Sequence, residues 1–422
     1  MAVASADGPG AFTLGDRFPA ATYAPRTDAD VAKHLRACDG EGKSVVIFGG
    51  ATLQGLGHLP SRYDVALSMK RMDAVIEYEP RDLTIAVEAG CTLAALERRL
   101  QAHGQFVPLD APHSAGATVG GTLAAGWLGP RRAAYGRARD FAIGTTVALA
   151  DGTIAKSGGM VVKNSTGYDL TKLYAGSFGT LGAILRVNFK TIPIPATRRV
   201  AVASLPEGTR ARAAAHVATL GIEPAAALIV RGFADDIEGR DGSDGRILVL
   251  FEGSDGTVDR ATRELRSALG AAGVPETRLL DDGAAQAFAR LVDAYVKPLG
   301  ACSATYRSAG FPTDATPRLD AFAHGARVNE LSLETIEDLR TGDVIARLSA
   351  TSESAFAERL VAFDGERRTA LAEARILVSP AALRAHLDVW GAPPASLATM
   401  RALKARFDPN GTLAPGRFVG GI

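Results

Sequence analysis

The sequence predicts an α+β chain folded as two domains, and three observations predict it. The first is size: 422 residues, 47% of them hydrophobic, exceed what one core takes up, because single cores stop growing near ~250–300 residues. The second is an alternation of short apolar runs with segments of helical spacing, from Asp28 onward and again from Arg198. The third is glycine, clustered at Gly49-Gly50-Ala51-Thr52, at Gly120-Gly121, Gly126, Gly129 and Gly136, and from Gly176 to Gly182. Without a Cβ, such stretches bring backbone N–H groups against a ligand that side chains would fend off. Three separate clusters suggest one extended ligand.

Charge and cysteine content narrow the classes. The 47 basic and 46 acidic residues leave a net charge of +1, which argues against a nucleic-acid binder driven by phosphate neutralisation. Cys38, Cys91 and Cys302 are odd in number, far apart and without a CxxC pair to hold zinc or an iron–sulfur cluster. The opening MAVASADGPGAF has neither a basic start nor an apolar core region, and no run approaches the ~20 apolar residues that span a bilayer. The expectation is a cytoplasmic protein, with peripheral contact to the inner membrane through a complex as the variant.

In chain order, a helix is predicted over Asp28 to Cys38, then a strand, Ser44 to Phe48, feeding the turn Gly49 to Gly57. Successive N–H groups in such a turn form a nest for anionic oxygens, of which a pyrophosphate is a common occupant; a plain structural turn is the alternative. The turn has neither the GK[ST] of a Walker A loop nor a GxGxxG fingerprint. Strands follow at Val65 to Met69, Ala74 to Tyr78 and Thr84 to Val87. Thr92 is placed to cap a helix, Leu93 to His103, with Leu93, Leu96 and Leu100 inward. Cys91 and His103 read as a core thiol and a helix-end histidine. Phe106 to Pro112 is extended, since its prolines exclude helix. Ala142 to Leu149 turns at Asp151-Gly152 into Thr153 to Lys156, a hairpin. Arg131 and Arg132 either meet an anion or salt-bridge to Asp140.

Past Arg198 the pattern gives strand Val200 to Ser204, helix Gly208 to Leu220, strands Ala226 to Arg231 and Arg246 to Glu252, helices Thr257 to Ala271 and Ala284 to Val296, and strand Ser303 to Ser308. This is a sheet covered by helices, with Asp235 to Gly245 as a polar hairpin tip. Arg231 and Arg307 end strands and are the candidates for holding a substrate carboxylate, against a purely structural role. A helix from Ser396 to Phe407 and the turn Phe407-Asp408-Pro409-Asn410-Gly411 close the chain.

The glycine blocks, with Thr118-Val119-Gly120-Gly121, Gly129-Pro130-Arg131-Arg132 and Met160 to Leu170 (MVVKNSTGYDL), resemble the vanillyl-alcohol oxidase/p-cresol methylhydroxylase flavoproteins. Within these, the GPRR and K-N-x-x-G-Y-D-L blocks are similar to the FAD-binding subunits of bacterial glycolate oxidases. The resemblance implies a two-subdomain FAD-binding domain over residues 20–195, an α/β cap domain over 196–394, and a segment, 395–422, returning to the FAD domain. It places the FAD contacts on Phe48, Gly49, Gly50, Ala51, Thr52, Gln54, Thr118, Gly120, Gly121, Ala124, Gly126, Tyr135, Gly136, Gly182 and Ile184. Relatives that tether the flavin often carry a histidine in the first loop. Ala51 and Thr52 stand there, and His113 lies near but not inside the second block, so the FAD is expected to be non-covalent.

Other departures bear on activity. Phe178 occupies the position of a glutamate in self-contained dehydrogenase relatives. Their H-x-G-D-G-N segment is missing, leaving His216, His324 and His386 scattered and no metal site expected; Ala414-Pro415-Gly416 replaces a terminal N-P-G. The implied function is the FAD-binding subunit of a 2-hydroxyacid dehydrogenase or oxidase complex of the glycolate type. It would pass electrons through FAD to an iron–sulfur subunit, beside a larger flavoprotein of the same superfamily. A non-catalytic FAD-binding scaffold and a stand-alone flavin oxidase are the alternatives.

Overall fold

The computed structural model describes residues 9–161, 168–233, 243–281, 283–297 and 300–422. Residues 162–167 of the K-N-x-x-G block and most of the expected hairpin tip, 235–242, lie outside the described residues. The chain folds into two compact units. One takes the described parts of Met1–Leu128, Arg137–Ile194 and Pro393–Ile422; the other takes Gly129–Gly136 and the described parts of Pro195–Ala392.

The first unit holds a three-stranded parallel sheet in the order Ala21–Tyr23, Val65–Ser68, Val45–Phe48 and a five-stranded antiparallel sheet in the order Val75–Glu79, Thr84–Glu88, Ala183–Lys190, Ala142–Ala148, Ile154–Gly158. The Asp28–Gly40 helix starts where the Thr27 hydroxyl accepts the Asp30 N–H at 3.1 Å, and its Val31, Leu35 and Cys38 pack on Val45, Val65 and Leu67. Thr92 caps the Leu93–Gln101 helix as expected, accepting from Ala95 at 3.2 Å. Cys91 is 1% exposed, and burial pushes its thiol up to about 11, as befits an inert core group. A short helix, Val119–Ala125, stands where the sequence reads only as glycine-rich.

The second unit is built on one eight-stranded antiparallel sheet, in the order Arg278–Leu280, Thr197–Ser204, Arg246–Gly253, Ala226–Arg231, Ser332–Asp338, Val344–Ser349, Ser303–Ser308, Arg375–Val378. One core gathers on the Arg210–Ala218 and Asp255–Ala271 helices, the second showing Val258, Ala261, Leu265 and Leu269 at helical spacing. The other gathers on the Ala315–Val328 and Glu353–Ala370 helices. Neither of those two is legible as an amphipathic pattern. Pro317 and Gly325 interrupt the first; in the second the inner face carries Asp364 and Arg367, an ion pair with side chains 1% and 0% exposed. Gly325 has a packing reason, since a Cβ there would stand 2.6 Å from the Phe363 ring. Among the described residues no helix is long and apolar enough to cross a membrane.

The two arginines of the GPRR block find partners other than Asp140. Arg131 pairs with Glu252 at 3.1 Å and Arg132 with Asp343 at 2.8 Å, all in the second unit. Asp140 instead accepts the Arg137 N–H at 2.8 Å, at the start of the Ala138–Phe141 helix.

Candidate functional site

The first unit contains an open cleft of about 790 Å³, a volume that includes the solvent at its mouth. Its walls come from the Val46–Gln54 strand end and loop, the Thr118–Ala125 turn and helix, Phe178–Ile184, Ala414 with Arg417, and the strand-end residues Met69 and Ala89. The first loop leaves the parallel sheet at Phe48. Among the described residues, the N–H groups of Gly49, Gly50, Ala51, Thr52 and Leu53 find no protein acceptor. Five successive unengaged donors at the end of a strand make a nest for an anion.

The glycines of these walls are there mainly for close packing. Gly50 does not have a positive φ; a Cβ on it would stand 1.7 Å from the Gly116 carbonyl oxygen, and one on Gly49 would stand 2.0 Å from the Thr118 hydroxyl. The first two glycine blocks therefore lie against each other. Gly120 is seated on Ala89, whose Cβ is 2.6 Å from where its own would be, and Gly182 on Val147, at 2.4 Å. Gly121 differs: it is exposed in the cleft, and a Cβ there meets only the Thr118 hydroxyl, at 3.0 Å. The left-handed conformation falls on Gly179, at φ 72°, and on three non-glycine residues, Ala51, Phe178 and Ala414, at φ 61°, 60° and 42°. Such strain in non-glycine residues gathers at binding sites, where surrounding contacts over-determine it.

Arg417 holds the cleft together. It is 3% exposed and donates to the carbonyls of Gln54 and Leu56 at 3.0 Å each and of His58 at 3.3 Å, and to the Gln54 amide oxygen. Gln54 in turn donates to the Ile47 carbonyl at 3.1 Å. The Arg417 guanidinium lies 5.3 Å from the Phe178 ring centre, and Phe178 stacks on Phe418, so the aromatic residue at the position of a carboxylate in some relatives has a cation beside it. Lys404 supports the same walls, donating to the carbonyls of Thr180 at 2.9 Å and Leu413 at 2.7 Å and pairing with Asp408. Burial lowers its pKa, with the Asp408 carboxylate opposing.

The cleft brings together Gly49, Gly50, Ala51, Thr52, Gln54, Thr118, Gly120, Gly121, Ala124, Gly182 and Ile184 of the expected contacts. Four lie elsewhere. Phe48 points into the core against Phe12, with ring centres 5.1 Å apart, because it alternates with cleft-facing Ile47 along the strand. Gly126 is the left-handed cap of the Val119–Ala125 helix and abuts Gly176. Tyr135 and Gly136 belong to the second unit, where burial, then the Glu252 carboxylate, hold the Tyr135 phenol far above its ordinary value. Sequence reading missed Met69 and Ala89, apolar strand-end residues that carry no local signal, and the roles of Ala414 and Arg417, which reach the cleft from the far end of the chain.

The substrate candidates do not converge either. Arg307 is 3% exposed and paired with Asp343, whereas Arg231 is exposed at its strand end. Arg417 is the single ionisable side chain lining the described cleft. The residues present fit FAD: a nest for the pyrophosphate, apolar walls, and a buried Thr122 hydroxyl on the cleft wall with no hydrogen-bond partner among the described residues.

Comparison with known proteins agrees. Residues 19–158 match the family described as FAD binding domain, and residues 390–418 match the FAD linked oxidases, C-terminal domain. Glycolate oxidase subunit GlcD of Bacillus subtilis is 33% identical over 185 residues, 44% of this chain and 39% of the relative. Glycolate oxidase subunit GlcE of Escherichia coli is 33% identical over 192 residues, 45% and 51%. Mitochondrial D-2-hydroxyglutarate dehydrogenase of Bos taurus is 35% identical over 182 residues, 43% and 34%. The matches thus span between about a third and a half of the relatives' own length. Among solved structures, 4-ethylphenol oxidase from Gulosibacter chungangensis superposes with a TM-score of 0.71 at 16% identity, covering 96% of this chain and 90% of that one. p-Cresol methylhydroxylase gives 0.71 at 15%, covering 96% and 89%. Residues 19–158 thus match an FAD binding domain and residues 390–418 part of the C-terminal domain of the FAD linked oxidases, and the fold is that of the p-cresol methylhydroxylase-type flavoproteins.

Proposed function

We propose that this chain is the FAD-binding subunit of a 2-hydroxyacid dehydrogenase of the glycolate type. Residues 20–195 and 395–422 serve as the FAD-binding domain, and 196–394 as the domain that meets the acid. The observation that carries the reading is the nest of unengaged N–H groups at Gly49–Leu53, within the stretch that matches the FAD binding domain. FAD, when bound, supplies the hydride acceptor. The chain's own part is to hold and orient: the nest takes phosphate oxygens, Arg417 keeps the loop in register through Gln54, and Met69, Ala89 and Ile184 exclude water.

A second reading, a scaffold whose flavin is structural, is favoured by the cleft's lining. Its one ionisable side chain, Arg417, already donates to Gln54, Leu56 and His58, so the described cleft offers no group to accept the acid's proton. The proposal therefore includes partners: a larger flavoprotein of the same superfamily and an iron–sulfur subunit. The two glycolate oxidase relatives are named as subunits, and Cys38 and Cys91 are buried.

Anaerobic stopped-flow of the isolated chain with glycolate and with D-lactate separates the readings. Slow bleaching of the flavin band, quickened by the partner subunits, supports the dehydrogenase; no bleaching in the full complex leaves the scaffold. Steady turnover by the isolated chain at rates typical of enzymes, ~1–10³ s⁻¹, would sink the dependence on partners.

The flavin is also expected to come off intact. No imidazole stands in the first loop, and His113 is exposed and outside the cleft wall. Acid precipitation of the yellow protein should leave FAD in the supernatant; fluorescence that travels with the denatured polypeptide would show a covalent tether.

A further inference from the structure

At one edge of the eight-stranded sheet, Arg307 of Ser303–Ser308 stands directly opposite Arg375 of Arg375–Val378. Directly opposed residues of an antiparallel pair share a face of the sheet, and like charges there repel. Arg307 is compensated, its Nε donating to Asp343 at 2.6 Å. Arg132 shares that carboxylate at 2.8 Å and lies 3.7 Å from Asp338, whose other oxygen accepts the N–H groups of Arg340 and Thr341 at 3.0 and 3.1 Å. Arg375 is only partly exposed, yet among the described residues no hydrogen bond or ion pair reaches its side chain, and Asp343 acts on it only as a nearby charge.

Three guanidinium groups thus face two carboxylates, an excess of one positive charge (3 − 2). Burial, and then the field of Arg307, pull Arg375 down to about 10, so it remains charged at neutral pH and carries the excess. Tyr295, 5% exposed, sits in the same field. Burial, then the Asp338 charge, hold its phenol far above the ordinary value, which keeps it a neutral donor. An uncompensated buried charge is costly.

We propose that Arg375 is the open arm of an anion site in the second unit that takes the carboxylate of a 2-hydroxyacid, with Arg307 opposite it and Arg132 beyond the shared Asp343. The assignment rests on the hydroxyacid reading above. A planar guanidinium meets a carboxylate with two parallel hydrogen bonds, and a monoanion matches the single excess charge, which a phosphate dianion would overshoot.

The test is calorimetric titration of the FAD-loaded protein with oxamate, a monocarboxylate without an oxidisable C–H, and separately with inorganic phosphate. Wild type should bind oxamate in preference to phosphate. Arg375→Gln should weaken oxamate about 10- to 100-fold, the worth of a hydrogen bond to a charged group, and raise the KM for glycolate with flavin content unchanged. Arg375→Lys keeps the charge but not the fork and should fall between, which also covers failure of the glutamine variant to fold. Unaltered oxamate affinity in the variants, no oxamate binding by wild type, or tighter binding of phosphate would each overturn the site. The reading it rests on fails separately: oxamate binding lost in Arg375→Gln while no hydroxyacid bleaches the wild-type flavin, even with partners, would leave the anion site and remove the dehydrogenase.

Discussion

Gly50→Val is expected to abolish both flavin binding and much of the stability of the first unit, and the cause is protein packing more than blocked access for a phosphate. A Cβ at residue 50 would stand 1.7 Å from the carbonyl oxygen of Gly116 and 2.6 Å from its carbon. That neighbour is main chain, so relief requires one of the two cleft-forming loops to move, and overpacking of this kind costs ~1–3 kcal/mol or more. Gly121→Val is the companion measurement. Its Cβ meets only the Thr118 hydroxyl, at 3.0 Å, and otherwise fills open space in the cleft. It should therefore leave the melting temperature of the apoprotein within a few degrees while lowering FAD occupancy at least about tenfold, equivalent to ~1.4 kcal/mol. Flavin content and thermal melting of both variants decide the matter. Wild-type FAD content in Gly121→Val would show that the ligand does not run along this wall, and normal stability of Gly50→Val would show that the two loops part readily.

The second large effect is expected far from the cleft. Asp364 and Arg367 have side chains 1% and 0% exposed and bond at 2.8 Å, while Arg367 also donates to the Ala374 carbonyl at 2.9 Å and Asp364 accepts the Asp388 N–H at 3.0 Å. The Arg367 guanidinium lies 5.2 Å from the Tyr306 ring centre. Asp364→Ala strands a cation inside the core that packs the Ala315–Val328 helix on the Glu353–Ala370 helix, and breaking a buried pair from one side costs ~3–5 kcal/mol. For a unit of this size that is a fall of roughly 10 °C in melting temperature. The double change Asp364→Leu with Arg367→Met removes both charges and should recover much of the loss. Calorimetry of the three variants tests this. A double variant no more stable than Asp364→Ala would mean that the helix depends on the hydrogen bonds to Ala374 and Asp388 more than on charge balance.

These two cases mark where sequence reasoning reached and where it stopped. The strand ending at Phe48, the Thr92 cap and the Thr118-to-Gly121 turn are legible because each depends on residues within a few positions of one another. The cleft walls they form were therefore found without coordinates. Phe48 was misplaced because a strand end alternates, and the local glycines do not say which face the last residue takes. The Glu353–Ala370 helix stayed hidden because its inner face carries an ion pair, which looks like a solvated surface until its burial is seen.

By itself the sequence determined the number of glycine-lined turns, the local capping, and an FAD-type ligand with no histidine in the first loop to tether it. Only the tertiary structure decided why the glycines are there. Gly50, Gly120 and Gly182 answer to Gly116, Ala89 and Val147, residues 31–66 positions away, and the positive φ of the cleft wall falls on Gly179 and on Ala51, Phe178 and Ala414. The same holds for charge. Arg417 closes on a loop more than 350 residues earlier, Arg131 and Arg132 pair with Glu252 and Asp343, and Arg375 meets Arg307 through strand register. Close approach and electrostatic compensation are fixed by what the folded chain brings within a few ångströms, and separation along the sequence carries no information about it.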